Sequence, residues 1–325
     1  MSFEYLEIQD SDYLEHHVEN EELDYILVKN RSIETVPIES WNPPAYCFTR
    51  RFQNYEGELK NFAVHPDDIW IASYPKSGTT WCQEMVWLIC NNLNYDAAKT
   101  QPLKTRFPFL DVSLIHDLPD GRNSFQVVQN MPSPRFIKTH LPVSMLPTQY
   151  WSTLPKTVHI CRNVKSVAVS YYHHSKNYFF RGTKEQFVRS FMKNLQFYSP
   201  IHSHVIGYHS LIGCNNILYL TYEDMKQDLR KEVERVCSFF KLNYNCDQLD
   251  SLCKHISFNS MKNNIACNYE DAADMDWKNK DPDSRFIRRG EVDSWKKELS
   301  SELCQELDEW NEKSIENERF RGLFT

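Results

Sequence analysis

Ile69-Trp70-Ile71-Ala72-Ser73-Tyr74-Pro75-Lys76-Ser77-Gly78-Thr79-Thr80-Trp81 begins as a short apolar run, turns at a loop containing Pro and Gly, and enters a second apolar stretch that reaches Asn92. The first run is apolar throughout, as a strand buried on both faces must be. From Thr80 to Asn92 the residues Trp81, Met85, Val86, Leu88 and Ile89 cover more than one face, which predicts a helix with little water contact. Strand, turn and helix in this order make an anion site, because the first amides of a helix lack internal partners and carry the positive end of its dipole. Gly78 lets the backbone approach an anion, Lys76 adds a point charge, and Thr79 and Thr80 add hydroxyl donors.

A lone Gly-Lys pair is more often an ordinary turn beside a surface lysine; here the buried flanks favour the phosphate reading. The loop is not a Walker A sequence, in which the lysine follows the second glycine of GxxxxGK[ST], since Lys76 precedes Gly78. No strand ending in Asp is evident to hold a nucleotide-bound Mg²⁺. The loop is therefore expected to bind a phosphate-like group without a metal, which points away from kinases and NTPases.

Outward from this unit, Arg135 to Lys138, Thr157 to Cys161 and Asn216 to Leu220 read as further strands. Helix-like stretches follow the last two, at Val164 to Lys176 and Met225 to Phe240. Alternating strands and helices predict an α/β fold: a single domain with a central parallel β-sheet flanked by helices, its P-loop-like loop after the first core strand. Residues 1 to about 65 are polar and acidic, and 1–40 are expected to form an N-terminal extension packing on a domain of residues 41–325.

The chain has 325 residues and a formal charge of −7, which argues against a non-specific nucleic-acid binder but leaves room for a local basic pocket. No apolar run reaches the roughly 18 to 20 residues that span a bilayer. Met1 to Asn20 lacks the basic start and apolar stretch of a signal peptide, so a cytoplasmic protein is expected. The ten cysteines are scattered singly without CxxC or zinc spacing, as reduced structural thiols are. In a cytoplasmic chain the sequon Asn30-Arg31-Ser32 would never meet the glycosylation machinery.

Four segments occur in the order found in the cytosolic sulfotransferases. Tyr74 to Trp81 resembles that family's 5′-phosphosulfate loop, YPKSGTTW. Arg135-Phe136-Ile137-Lys138-Thr139-His140-Leu141-Pro142 resembles its RxxKTHLP stretch, and Cys161 to His173 its 3′-phosphate segment. Phe286-Ile287-Arg288-Arg289-Gly290 resembles the C-terminal loop FxRKGxxGDWK. The resemblance covers roughly residues 40 to 320. It implies transfer of a sulfonate from PAPS (3′-phosphoadenosine-5′-phosphosulfate) to the hydroxyl of a small-molecule acceptor, a phenol or alcohol, with PAP as product and no metal.

The resemblance also implies roles. His140 would be the general base, and its ordinary pKa near 6.5 suits proton removal near neutrality. Lys138 lies two residues earlier, so in an extended stretch both side chains share a face. Lys138 and Lys76 would stabilise the transferring sulfonate and the leaving phosphate. With Lys76, the residues Ser77, Gly78, Thr79, Thr80 and Trp81 would hold the 5′ end. Arg162, Ser170, Arg288, Arg289 and Gly290 would hold the 3′-phosphate, which distinguishes PAPS from ATP. A guanidinium gives a phosphate two parallel hydrogen bonds, and Ser170 lies about two helical turns beyond Arg162. Tyr222, Phe258, Met261 and Phe286 would complete the nucleotide site, with Trp81 and Phe258 stacking on adenine. Phe109, Lys138, His140 and His174 would line the acceptor pocket.

The chain departs from the family pattern in places. Ile256 stands where a threonine usually contacts the nucleotide, Arg289 replaces a lysine, and Asp293 and Ser294 replace glycine and aspartate before Trp295. His174 replaces a phenylalanine, which suggests a more polar acceptor. The dimer motif KxxxTVxxxE reads Lys296 to Gln305 with Ser300, Ser301 and Gln305 at its specified positions, so weakened homodimerisation is expected. Three other readings stay open: a silent nucleotide-binding protein, a dehydratase in which elimination follows sulfonation, and a nucleotide kinase. Lys76, Lys138 and His140 together argue against the first, and the missing Walker geometry against the last.

Overall fold

A computed structural model describes residues 1–9, 24–32, 42–118, 120–178, 180–211, 214–269, 285–315 and 318–324. Four strands, β4 (Ile69–Ala72), β5 (Phe136–Thr139), β6 (Lys156–Cys161) and β7 (Ile217–Thr221), form a parallel sheet in the order β5-β4-β6-β7. Each lies within a residue or so of its expected position. Side chains alternate across this sheet: Trp70 and Ala72 enter one apolar cluster, Ile69 and Ile71 the other.

The second cluster is covered by the helices Thr79–Cys90, Leu229–Phe240 and Cys246–His255. The first is covered by Val164–Ser175, Lys184–Met192, Ile201–His209 and Ser301–Ser314. Helix Thr79–Cys90 is buried on nearly every side, down to Gln83 and Glu84, as its all-round apolarity requires. Glu84 is tolerated there because Arg106 donates to it at 2.8 Å and His255 at 2.9 Å.

One expected helix is corrected. Met225 to Phe240 is two helices, Tyr222–Gln227 and Leu229–Phe240, broken at Asp228. Asp228 has extended backbone (φ −145°, ψ 79°), and its carboxylate accepts from the Lys231 amide, so it ends one helix and caps the next.

Before the parallel sheet lies an antiparallel one, β1 (Phe3–Glu7), β2 (Tyr25–Asn30) and β3 (Tyr46–Thr49), in that spatial order. The proposed boundary at residue 40 lies outside the described residues. Asn30 is buried and its amide donates to the Ser144 carbonyl at 2.7 Å, so the sequon nitrogen is already engaged. All ten cysteines are free thiols. No helix among the described residues is long and apolar enough to cross a membrane.

Candidate active site

The predicted chemistry gathers at the carboxyl ends of the parallel strands. The phosphate loop follows β4, His140 follows β5, Arg162 follows β6, and Tyr222 follows β7. β4 lies between β5 and β6, so successive connections leave it on opposite sides, and such switch points form the crevice of open α/β sheets.

Two positive-φ residues shape the loop, Lys76 (φ 68°) and Gly78 (φ 101°). A Cβ at position 78 would stand 2.8 Å from the Tyr222 ring and 3.2 Å from the Ile160 side chain, so glycine is required for space as well as conformation. Gly78 leaves the helix without a side-chain cap, whereas Asn163, Thr183, Asp228, Asn245, Ser257 and Ser300 cap theirs. Around this helix start, Ser77 Oγ, Trp81 Nε1 and Arg162 Nε are buried without hydrogen-bond partners. Such atoms are costly unless something polar satisfies them. Thr79 turns its hydroxyl to Ser73 Oγ at 2.7 Å, while Thr80 is half-buried.

Pro108 to Leu110 lies along β5: the Lys138 amide donates to the Pro108 carbonyl and the Leu110 amide to the Lys138 carbonyl, each at 2.9 Å. This sets Phe109 under Lys138, whose Nζ lies 4.1 Å from the ring centroid, and 4.9 Å from the His140 ring. It also brings Asp111 beneath the strand end. Fully buried Asp111 accepts from Thr139 Oγ1 at 2.8 Å, from the His140 amide at 3.3 Å and from the Tyr198 hydroxyl. Burial pushes the Asp111 carboxyl up to about 6 against these hydrogen bonds.

His140 Nδ1 donates to the Ser73 carbonyl at 2.7 Å, which fixes the tautomer with Nε2 as acceptor. From the other side, His204 Nε2 donates to the His140 carbonyl and the Tyr208 hydroxyl to the Leu141 carbonyl, both at 2.9 Å. Burial, then the charges of Lys138 and Lys76, hold the imidazole well below its ordinary pKa, so it stays neutral. Burial also pushes Lys138 down to about 8; burial with the charges of Lys138, Arg162 and Arg288 pushes Lys76 down to about 7. Lys76 Nζ lies 4.4 Å from the centroid of Phe286. Both lysines thus rest on aromatic faces.

A second cationic group adjoins the loop. Arg162 donates to the Lys76 carbonyl at 3.3 Å and to the Glu291 carbonyl at 3.0 Å, and lies 4.1 Å over Tyr222. Tyr222 in turn meets Trp81 edge-on at 5.5 Å. Gly290 (φ 65°) sits against Phe258, whose ring a Cβ would approach to 2.1 Å. Arg288 and Arg289 directly precede this glycine and both reach Glu298. Ser170 is half-buried on the helix that Arg162 leads into. Met261 is buried and serves the core, as does Ile256, whose side chain packs into the second cluster. His174 touches Tyr178 at 4.8 Å and Phe286 at 6.1 Å, and burial with the charges of Lys76 and Lys138 keeps it neutral.

Sequence reading missed Asp111, Tyr198, His204 and Glu298. Asp111 lies two residues beyond Phe109 and could have been noticed there; Tyr198 and His204 stand 58 and 64 residues from His140, whose position they serve, and Glu298 carries no local signal. His65, Asp67 and Asp68 are the metal-type side chains that come together among the described residues. They precede β4, at the opposite end of the strands, and Asp68 is held by Arg135.

Residues 66–319 match the sulfotransferase domain family. The luciferin sulfotransferase of Photinus pyralis is 36% identical over 286 residues, 83% of this chain and 77% of that protein. Human sulfotransferase 1E1 is 34% identical over 272 residues, 81% of this chain and 89% of that protein. Among solved structures, retinol dehydratase with androsterone and the inactive cofactor PAP superposes with a TM-score of 0.84 at 26% identity, covering 98% of this chain and 97% of that one. With a strand-end anion loop, a Lys-x-His pair and a second cationic group in one crevice, the chain belongs to the sulfotransferase family, whose members take their sulfonate from PAPS.

Proposed function

We propose that this sulfotransferase moves the sulfonate of PAPS to the hydroxyl of a small phenol or alcohol by in-line displacement, with His140 as general base and Lys138 and Lys76 stabilising the charge that develops. The observation that carries the residue roles is the orientation of His140. Its Nδ1–H is committed to Ser73, so the ring offers Nε2 to an acceptor hydroxyl beside Phe109 and Lys138. A neutral, fixed imidazole is the form that takes up a proton, a step typically worth about 10²- to 10⁴-fold in rate.

The residues fit the donor. The buried, unsatisfied Ser77 Oγ, Trp81 Nε1 and Arg162 Nε, and the glycine cradles at 78 and 290, suit a phosphorylated nucleotide. When bound, PAPS supplies a sulfonate activated on a phosphate leaving group. Lys76 and the uncapped helix start at Gly78 would hold the 5′ end; Arg162, Ser170, Arg288, Arg289 and Gly290 would hold the 3′-phosphate. Trp81, Tyr222, Phe258 and Phe286 would supply the aromatic surfaces, and Thr80 a further hydroxyl. On the acceptor side, Phe109 suits a flat ring, and neutral His174 suits a hydrogen bond to a polar substituent.

The test is incubation with PAPS and a panel of phenols, alcohols and amines, following PAP and sulfated product. His140→Ala should abolish turnover and leave PAP affinity within about twofold. PAP binding without product from any acceptor would favour a silent binder. The close superposition on retinol dehydratase supports a second reading, sulfonation followed by elimination. An alkene instead of a sulfate among the products would select it. Equal ranking of polar and apolar acceptors by His174→Phe and the parent would remove His174 from the specificity account.

A further inference from the structure

Glu298 stands where the C-terminal loop, the helix Val164–Ser175 and the helix Lys184–Met192 meet. Its carboxylate accepts from His173 Nε2 at 2.5 Å, Lys184 Nζ at 2.8 Å and Arg288 Nη1 at 2.5 Å, with Arg289 Nη1 at 3.5 Å. The side chain is 6% exposed, so this is a buried ionic hub and not a surface pair. Burial alone would raise the Glu298 carboxyl; the hydrogen bonds from His173, Lys184 and Arg288 overcome it and hold the group well below the usual carboxylate range.

The hub lies beside the second cationic group. His173 is three residues, one helical turn, beyond Ser170, and Arg288 is two residues before Gly290. The loop is also tied to the same helix by Ser166 Oγ on the Val292 carbonyl at 2.6 Å, and to the turn just before it by Arg162 Nη2 on the Glu291 carbonyl at 3.0 Å. Those bonds fix the backbone near 291–292, while Glu298 fixes the Arg288 side chain. Arg288 faces other cations: its charge depresses both Lys76 and Arg162. Mutual repulsion would drive such a guanidinium out of the crevice unless a fixed anion held it there. A guanidinium also has five N–H donors, more than one carboxylate oxygen can use, so it can serve a carboxylate and a phosphate together.

We propose that Glu298 is a positioning residue for recognition of the nucleotide's 3′-phosphate, holding Arg288 in the crevice and tying it to the helix that carries Ser170. The proposal rests on the reading of Arg288 as a 3′-phosphate ligand. Selectivity for a 3′-phosphorylated nucleotide thus depends on a carboxylate that itself repels phosphate.

The experiment compares binding of adenosine 3′,5′-bisphosphate and adenosine 5′-monophosphate by calorimetry. Glu298→Gln should weaken the bisphosphate about tenfold and the monophosphate less than twofold. In an Arg288→Ala background the same change should cost the bisphosphate less than twofold, because the side chain it positions is gone. Equal or tighter bisphosphate binding by Glu298→Gln overturns the proposal, as does equal weakening of both nucleotides. If Arg288→Ala alone leaves bisphosphate affinity unchanged, the reading of Arg288 as a phosphate ligand fails first. Should Glu298→Gln not fold, Glu298→Asp keeps the charge and withdraws it by one methylene. A loss of about threefold for the bisphosphate alone supports the proposal, and parental affinity for both nucleotides overturns it.

Discussion

Lys76 and Lys138 show what four cations in one crevice do to each other. Burial and its neighbours push Lys76 down to about 7, so in the empty protein at pH 8 it is mostly neutral. A bound phosphate favours the charged form and raises that pKa, so binding takes up a proton. The sign follows: PAP affinity is greatest below pH 7 and falls as pH rises through the empty-site value, by up to tenfold per pH unit until the bound-state pKa is passed. Titrations at pH 8 in two buffers of different ionisation enthalpy should show uptake approaching one proton. Affinity constant from pH 6.5 to 9, with no proton uptake, would refute it. The strand-turn-helix pattern pointed to Lys76 and the family resemblance to Lys138; their low basicity was not legible, because it arises from burial and, for Lys76, also from the charges of Lys138, Arg162 and Arg288, which stand 62 or more residues away in the chain.

At the scale of elements, the end of β5 is clamped from two sides. Asp111 accepts from Thr139, His140 and Tyr198, while His204 and Tyr208 donate to the carbonyls of His140 and Leu141. Three donors converge on Asp111, so Asp111→Asn places an amide N–H₂ where at least one donor already points. We expect about 1–3 kcal/mol lower stability by urea unfolding. We also expect kcat about 10- to 100-fold lower with PAP affinity within twofold, since the change displaces His140 and not the phosphate loop. Unchanged kcat would show that the strand end holds His140 without this carboxylate.

Elements whose signals are local were legible: the four parallel strands as apolar runs, and the phosphate loop as a strand-turn-helix with Gly78. The Asp228 break was missed because apolar periodicity resumes in phase across it, although Asp followed by a helix former is an N-cap signal. The β1–β3 sheet was missed for another reason. Its strands are short, and β1 and β2 lie in an acidic, polar region where the burial of Tyr25, Ile26 and Val28 depends on partners elsewhere. Asp111, His204 and Glu298 are single polar residues made important by packing, which spacing does not reveal.

For the whole molecule, two surfaces remain to be tested. β2 buries Tyr25, Ile26 and Val28 and pairs with β3, so we propose that the N-terminal segment is integral to the domain. Deleting residues 1–32 would strip roughly 1.5–3 kcal/mol per buried side chain, an upper bound of several kcal/mol, and bare the edge of β3. A melting temperature unchanged by the deletion would show the segment to be dispensable. The other surface is the dimer motif, where Ser300 and Gln305, two of its three departing positions, and the retained Lys296 are engaged within their own chain. Ser300 caps the helix Ser301–Ser314 by accepting from the Leu303 amide at 3.1 Å, Lys296 pairs with Asp293 at 2.9 Å, and the Gln305 amide donates to Glu309 at 3.1 Å. The motif's Thr-Val apolar surface is replaced by two serines, and its terminal carboxylate by an uncharged amide that cannot pair with a lysine across an interface. Sedimentation velocity at micromolar concentration should therefore show a monomer of 38.7 kDa. The triple change Ser300→Thr, Ser301→Val, Gln305→Glu keeps the capping hydroxyl, restores the apolar contact and the charge together, and should shift the protein toward dimer. A tight dimer in the parent that Ser301→Asp abolishes would mean that this surface associates despite its sequence.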